Sequence, residues 1–258
     1  MSVLNKTAAV IVTFNRSGKL MAVLDALAAQ TMRPDIVLVV DNASTDDTAA
    51  LVQARADADP TIRHLRLPAN VGGAGGFHAG IKAAYQMGAQ YFWVSDDDAY
   101  PRPDALQSLH RALKGFQADN GWRPSFACSR VEWIDGSLCE MNCPRTVWDW
   151  ARFVRPGSAW ALVDSASFVS VMIPRWAVSE HGLPIADYFI WFDDAEYTRR
   201  IARSYPGIFV PESVVVHDTP DNRVRGQMRR GDVPSSLRRQ IYGAIIKGLG
   251  FRPAIERV

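Results

Sequence analysis

Four strand-like runs recur at near-regular intervals through the first hundred residues, and each ends on polar side chains. That rhythm restricts the fold more than any other feature of the chain. Ala8–Phe14 is a near-continuous apolar stretch rich in β-branched residues, the pattern of a strand buried on both faces. Ser17 is placed to cap a helix running to about Gln30. Ile36–Val40 is a second buried strand ending in Asp41-Asn42, and Ser44-Thr45-Asp46-Asp47 opens a second helix. Ile62–Leu67 reads as a third strand. A glycine-rich turn, a helix over roughly Gly76–Met87 and a fourth strand at Tyr91–Ser95 follow. Strand and helix alternating at this spacing predict an α/β domain with a mostly parallel central sheet flanked by helices. In such sheets ligands bind beyond the carboxyl ends of the strands. Thr13, Asn15, Asp41, Asn42, Asn70 and Asp96–Asp98 should therefore converge on one crevice.

The second half is less regular. Short strand-like pieces at Phe126–Val131 and Ala166–Ile173 lie among Trp122, Trp133, Trp148, Trp150 and Trp160, which reads as a mixed or antiparallel part of the same sheet. Asp187–Arg203 is helical in its later part, and Ile208–Val216 is a strand that delivers His217. With 48% hydrophobic and 22% charged residues over 258 positions, the chain is no disordered polymer, and one large domain is within its means. No window approaches the roughly 18 consecutive apolar residues of a membrane span. The N-terminus lacks the basic and apolar regions of a signal peptide, so the expected location is cytoplasmic. Cys139 and Cys143 have no further Cys or His ligands nearby in sequence, so reduced thiols are expected rather than a zinc site. Residues 222–258 carry nine basic groups against Asp232 and Glu256. The expected organisation is a domain over 1–220 and a basic, helical tail over 221–258, which has the charge to meet something anionic or simply to face solvent.

Three segments carry the chemistry. In Tyr91-Phe-Trp-Val-Ser-Asp-Asp-Asp98 a buried strand feeds three consecutive carboxylates, whose repulsion must be offset. A hard divalent cation does this while bridging substrate phosphates; a solvated acidic turn is the bland alternative. In extended backbone Asp96 and Asp98 point one way and Asp97 the other. Asn70-Val-Gly-Gly-Ala-Gly-Gly-Phe77 allows close backbone approach at Gly72, Gly73, Gly75 and Gly76 and opens a helix N-terminus toward anions. It is not a dinucleotide fingerprint, because His78 stands where the third glycine belongs, and no Gly-Lys-Ser/Thr of a P-loop follows. Phe189-Ile-Trp-Phe-Asp-Asp-Ala-Glu-Tyr197 sets Asp193, Asp194 and Glu196 beside large apolar residues. Such carboxylates suit a general base with a raised pKa, or a helix N-cap and first turn.

Together these segments resemble the nucleotide-diphospho-sugar glycosyltransferases of family 2, which have the GT-A fold, over roughly residues 7–220. The resemblance rests on Val10-Ile-Val-Thr-Phe-Asn15, Val39-Val-Asp-Asn-Ala-Ser-Thr-Asp46 and the Asp triplet. Asn70–Phe77 and Trp191-Phe-Asp-Asp-Ala-Glu-Tyr197 are most similar to bacterial galactofuranosyltransferases and related rhamnosyltransferases, although Phe192 stands where that pattern often has Trp. The resemblance implies an inverting, metal-dependent transfer of a sugar, with galactofuranose from UDP-galactofuranose ahead of rhamnose from dTDP-rhamnose. The recipient would be a hydroxyl of a bacterial cell-surface glycan or a lipid-linked oligosaccharide. It implies that Thr13, Asn15, Arg16, Asp41 and Asn42 hold the nucleoside, and that Asn70 and the glycines lie along the diphosphate and sugar. Asp96, Asp97 and Asp98 would serve the donor, with Asp96, Asp98 and His217 holding Mn2+ or Mg2+. Asp194 would be the base, with Asp193 or Glu196 the alternative. Trp160 and Trp191 would stack on the acceptor. The tail would touch the inner face of the cytoplasmic membrane; nucleic acid is not an expected partner, and an oligomer is left open. A nucleotidyltransferase shares the sheet and the acidic site but wants a basic, glycine-rich loop after the first strand, which Phe14–Lys19 matches poorly. A non-catalytic sugar-binding module is the remaining alternative.

Overall fold

The computed structural model describes residues 6–154, 157–158 and 160–222. Apart from Asp221 and Asn222, the basic tail lies outside the described residues, and so does its expected helix. The strand–helix alternation is present as β1 (Thr7–Thr13), α1 (Ser17–Ala28), β2 (Ile36–Asp41), α2 (Thr48–Ala58), β3 (Ile62–Arg66), α3 (Gly72–Gln86) and β4 (Tyr91–Asp96). There follow β5 (Ala99–Pro101), α4 (Ala105–Asn120), β6 (Ala127–Trp133), β7 (Arg145–Thr146), β8 (Ala161–Ser165), β9 (Val171–Pro174), α5 (Arg175–His181), α6 (Asp193–Ile201) and β10 (Gly207–His217). The strands make one sheet in the order β3-β2-β1-β4-β9-β6-β10-β8-β7, with β5 paired to β10. From β3 to β4 it is parallel. β9 runs antiparallel to β4 and β6, and β8 antiparallel to β10 and β7, while β6 and β10 are parallel. The irregular second half of the sequence is thus the mixed half of the sheet.

The apolar runs form strands because both faces of the sheet are covered. All seven residues of β1 are buried. Ala8, Val10 and Val12 share a core with Phe77, Ile81 and Ala84 of α3. Ala9 and Ile11 share the opposite core with Leu20, Val23, Leu24 and Leu27 of α1. Burying each large aliphatic side chain contributes about 1.5–3 kcal/mol, so a polar residue inside β1 or β2 would be costly. Polar groups are deferred to the strand ends, which is why the site collects there.

Two local expectations are corrected. Ser17 does not cap α1 with its own side chain. It is the first helical residue, and its N–H donates to Asp46 Oδ2 at 3.2 Å. The glycine segment is not a free loop before a helix at Gly76. The helix starts at Gly72. A Cβ on Gly76 or Gly80 would collide with Val12 or Val10 of β1, so these two glycines let α3 lie close on the sheet, while Gly75 leaves room for Val71 at the helix start. Gly72 (φ +75°) leaves room for the Phe189 carbonyl, which accepts the Ala74 N–H at 3.1 Å. Among the described residues, Gly73 alone both has open space where a Cβ would stand and lines the cleft described below.

β10 shifts register between Val210 and Val214, around Pro211. The Ser213 hydroxyl covers the disturbance, donating to the Ala105 carbonyl at 2.9 Å and meeting Ser129 Oγ at 2.7 Å. Beyond this bulge β10 pairs with β5, His217 opposite Ala99. That pairing sets His217 beside the residue that follows Asp98. Among the described residues, no helix is long and apolar enough to cross a membrane.

Candidate active site

The carboxyl ends of β4 and β10 open into a cleft of about 320 Å³ whose lining includes Asp96, Asp97, Asp98, Asp193, Asp194 and His217. Asp97 and Asp98 occupy a turn between β4 and β5 rather than extended strand. Their carboxylates nonetheless meet different sets of partners, with Arg16 shared between them. Asp97 turns to the first loop, accepting from Thr13 Oγ1 at 2.7 Å and from the Arg16 guanidinium at 3.2 Å. Asp98 Oδ1 lies 3.2 Å from His217 Nε2, and its Oδ2 accepts from Arg16 at 2.8 Å with Lys19 Nζ at 3.9 Å. The Asp98 N-side of the site is locked by backbone too, the Asp218 N–H donating to the Asp98 carbonyl at 2.9 Å.

These contacts divide the three carboxylates. Burial, then the charge of Asp98, pushes the Asp96 carboxyl up to about 7, with His217 pulling the other way. Burial also raises Asp97 against its bonds to Thr13 and Arg16. Burial opposes ionisation of Asp98 as well, but its hydrogen bond to His217 and the charges of His217, Arg16 and Lys19 outweigh that, and it sits below the usual carboxylate range. Burial lowers His217, yet its bonds to Asp98 and Cys139 carry it to about 9.

Asp96, Asp98 and His217 each offer one ligand atom, all within 4.8 Å of one another. Among the described residues no side chain donates a hydrogen bond to the Asp96 carboxylate, although it opens onto the cleft. Two carboxylates and one imidazole fit a hard divalent cation that keeps open positions for other oxygens.

On the same cleft, α6 starts at Asp193, after a segment in which Phe189, Trp191 and Phe192 have φ of 63°, 67° and 65°. Such left-handed conformations cost of order 1–3 kcal/mol each in non-glycine residues and persist only where the surroundings fix them. Here the fixing contact is the Phe189 carbonyl against α3. Burial raises both Asp193 and Asp194, Asp193 further through the charge of Asp194. Asp194 is held by backbone donors, Ala195 N–H at 2.6 Å and that of Phe168, which favour its charged form. Glu196 is not brought to the cleft: its Oε1 accepts from Arg200 Nε at 2.7 Å.

The remaining expected residues divide in the same way. Trp191 lines the cleft. Trp160 does not; it packs on Gly115 and edge-on to Phe116, ring centroids 5.5 Å apart. Asn15 Oδ1 accepts the Thr45 N–H at 2.7 Å, joining the loops after β1 and β2. Asp41 is wholly buried, with Oδ1 accepting the Ser44 N–H at 2.8 Å and Oδ2 3.5 Å from His64 Nε2. Asn42 bridges β2 to α3, donating to the Gly72 carbonyl at 2.9 Å and accepting the Val71 N–H at 2.9 Å. Asn70 accepts the Gly72 N–H at 2.9 Å. These four build the wall between the first loops and α3 rather than lining the cleft.

Sequence reasoning missed Asn142, Ser167, Phe168, Ile190 and Thr219, all of which line the cleft. They come from separate connections, and none stands in a pattern that marks it.

A model of "Glycosyl transferase family 2" matches residues 8–142 of the chain. Galactofuranosyltransferase GlfT1 of Mycolicibacterium smegmatis is 28% identical over 214 residues, 76% of this chain, which spans only 65% of that relative's length. Among solved structures, GalNAc-T7 with UDP, GalNAc and Mn2+ superposes with a TM-score of 0.66 at 17% identity, over 84% of this chain and 44% of that one. Staphylococcus aureus TarS 1-349 in complex with UDP-GlcNAc gives 0.63 at 14%, over 95% of this chain and 67% of that one. The match to a glycosyltransferase family sets aside the nucleotidyltransferase alternative. With its motifs at the strand ends of this sheet and half its length matched, the chain belongs to glycosyl transferase family 2 and has the GT-A fold.

Proposed function

We propose that the chain transfers galactofuranose from UDP-galactofuranose to a sugar hydroxyl with inversion at the anomeric carbon. The observation that carries this reading is one cleft lined by both the Asp96–Asp98–His217 cluster and Asp193–Asp194. The choice of donor leans on the likeness to GlfT1, a galactofuranosyltransferase by name, and on neighbours whose titles include UDP or a UDP-sugar.

Asp96, Asp98 and His217 would hold Mn2+ or Mg2+, which supplies charge stabilisation at a departing diphosphate. Arg16, on the cleft, would meet the nucleotide, with Thr13, Asn15, Asp41, Asn42 and Asn70 bracing the loops behind it where the nucleoside would lie. Arg16 stands between Asp97 and Asp98 and is placed to turn toward phosphate oxygens. Gly73 is the glycine at which backbone meets the donor. Asp194 takes the proton of the acceptor hydroxyl as that oxygen attacks the anomeric carbon. Burial raises the pKa of Asp194, as suits a general base, while backbone donors from Ala195 and Phe168 partly offset that rise; Asp193, buried beside it, is raised further by the Asp194 charge. A single displacement inverts the configuration and needs no covalent intermediate. Trp191 gives the acceptor an apolar face. The acceptor class we favour is a cell-surface glycan or lipid-linked oligosaccharide, with the basic residues 223–258 reaching an anionic membrane surface.

The test is mass-spectrometric detection of UDP released from UDP-galactofuranose with Mn2+ and galactose-terminated acceptors, beside Asp98→Ala and Asp194→Ala. Turnover that depends on metal and vanishes in both variants supports the donor and both roles. Turnover with dTDP-rhamnose alone keeps the chemistry and discards the donor. Binding of UDP without turnover on any acceptor counts against the acceptor class.

A further inference from the structure

His217 has a second neighbour that no motif marked. Its Nδ1–H donates to Asn142 Oδ1 at 2.8 Å, on the side of the ring away from Asp98. The Cys139 thiol donates to the same oxygen at 3.0 Å, and Asn142 Nδ2 donates to Ser167 Oγ at 2.9 Å. Both ends of the amide are therefore spoken for, and its oxygen faces the imidazole. Asn142 is itself held by a short turn, its N–H donating to the Cys139 carbonyl at 3.0 Å, while the Cys139 N–H donates to Val131 of β6 at 3.0 Å. A histidine that binds a metal through one ring nitrogen must keep the proton on the other, and a fixed acceptor there sets ring orientation and tautomer.

We infer that Asn142 is the positioning residue of this site, holding the His217 proton on Nδ1 so that the Nε2 lone pair faces the cation. The inference deepens the proposed function and rests on its metal reading. It concerns a residue in the connection between β6 and β7, not an additional ligand. The opposite amide orientation makes the contrary claim, because an NH2 group facing Nδ1 forces the proton onto Nε2, where it blocks metal binding.

The experiment uses the full chain labelled with 15N-histidine, comparing wild type with Asn142→Leu and Asn142→Asp. A ring proton held in a hydrogen bond to Oδ1 exchanges slowly and appears on 15Nδ1 whether the ring is neutral or charged. It should be present in wild type and Asn142→Asp and absent in Asn142→Leu. Mn2+ affinity, read by calorimetry, should fall about 10–100-fold in Asn142→Leu and be restored to within about threefold by Asn142→Asp, the range expected for an outer-shell partner. A merely structural role would leave the aspartate no better than the leucine. A Mg2+-loaded wild type with the proton on Nε2, or an Asn142→Leu chain with unchanged Mn2+ affinity, overturns the inference. A wild type that binds no Mn2+ overturns the metal reading and the inference with it. That outcome is distinguishable, since the Nδ1 proton is read without metal.

Discussion

Replacing Asp194 by Asn changes almost no volume but removes the proton acceptor of the proposed step. The Ala195 N–H that Asp194 accepts at 2.6 Å can still be satisfied by the amide oxygen. The expected result is kcat lower by roughly 10²–10⁴ with UDP affinity unchanged, the usual size of a general-base contribution. Steady-state rates paired with calorimetric UDP binding check it, and a loss confined to UDP affinity would move Asp194 to the donor side. Asp98→Ala acts differently. It removes the carboxylate on which Arg16, Lys19 and His217 converge, so Mn2+ affinity should drop beyond the roughly 100-fold that outer-shell substitutions reach. The same titration on Glu196→Gln should show little change, because Glu196 is engaged by Arg200. Spacing in the sequence offered Asp193, Asp194 and Glu196 as near equals. Only the helix they start separates them, since two face the cleft and the third pairs along the helix with the residue four positions on.

At the scale of elements, α3 and the segment before α6 depend on each other. A Cβ on Gly72 would collide with the Phe189 carbonyl oxygen and add strain at φ +75°. Gly72→Ala should therefore cost about 1–3 kcal/mol, the typical penalty of forced overpacking, and should also displace Asp193 and Asp194 through the strained residues 189–192. Urea unfolding and kcat should fall together. Gly73→Ala is the control: its Cβ enters open space, so stability should hold or improve slightly through helix propensity, while KM for the donor rises. If both variants unfold alike, α3 is not seated on Phe189 as described. Four glycines within five residues were legible as a close approach. What Gly72 approaches was not, because the Phe189 backbone lies more than a hundred residues along the chain.

For the molecule as a whole, the site stores charge that folding must tolerate, and this gives stability an unusual pH dependence. The Asp96 carboxyl, raised to about 7, binds its proton more tightly folded than unfolded. Between roughly pH 4 and 7 the native state holds the extra proton, so stability falls as pH rises. His217, raised to about 9, contributes stability fully present below the ordinary histidine pKa and lost as pH climbs through 9. Both signs agree. The metal-free chain should melt roughly 3–6 °C lower at pH 9 than at pH 6, the size expected of about 1–2 kcal/mol in a domain this large. Added Mn2+ should raise Tm more at pH 8 than at pH 5.5, because it binds the deprotonated groups; calorimetric scans at the two pH values check this, and a uniform shift would count against the cluster as the binding site. The alternation of buried strand and helix, the parallel half of the sheet and the strand-end identity of Asp96–Asp98 were all fixed by the sequence alone. They follow from local periodicity and from the cost of burying polar groups within a two-sided sheet. The placing of His217 against Asp98, the Asn142 contact behind it, the exclusion of Trp160 and Glu196 from the cleft and the seat of Gly72 on Phe189 were decided only by tertiary structure. Each depends on residues distant in the chain meeting through sheet order, a β10 bulge or helix packing, and no local pattern records such a meeting.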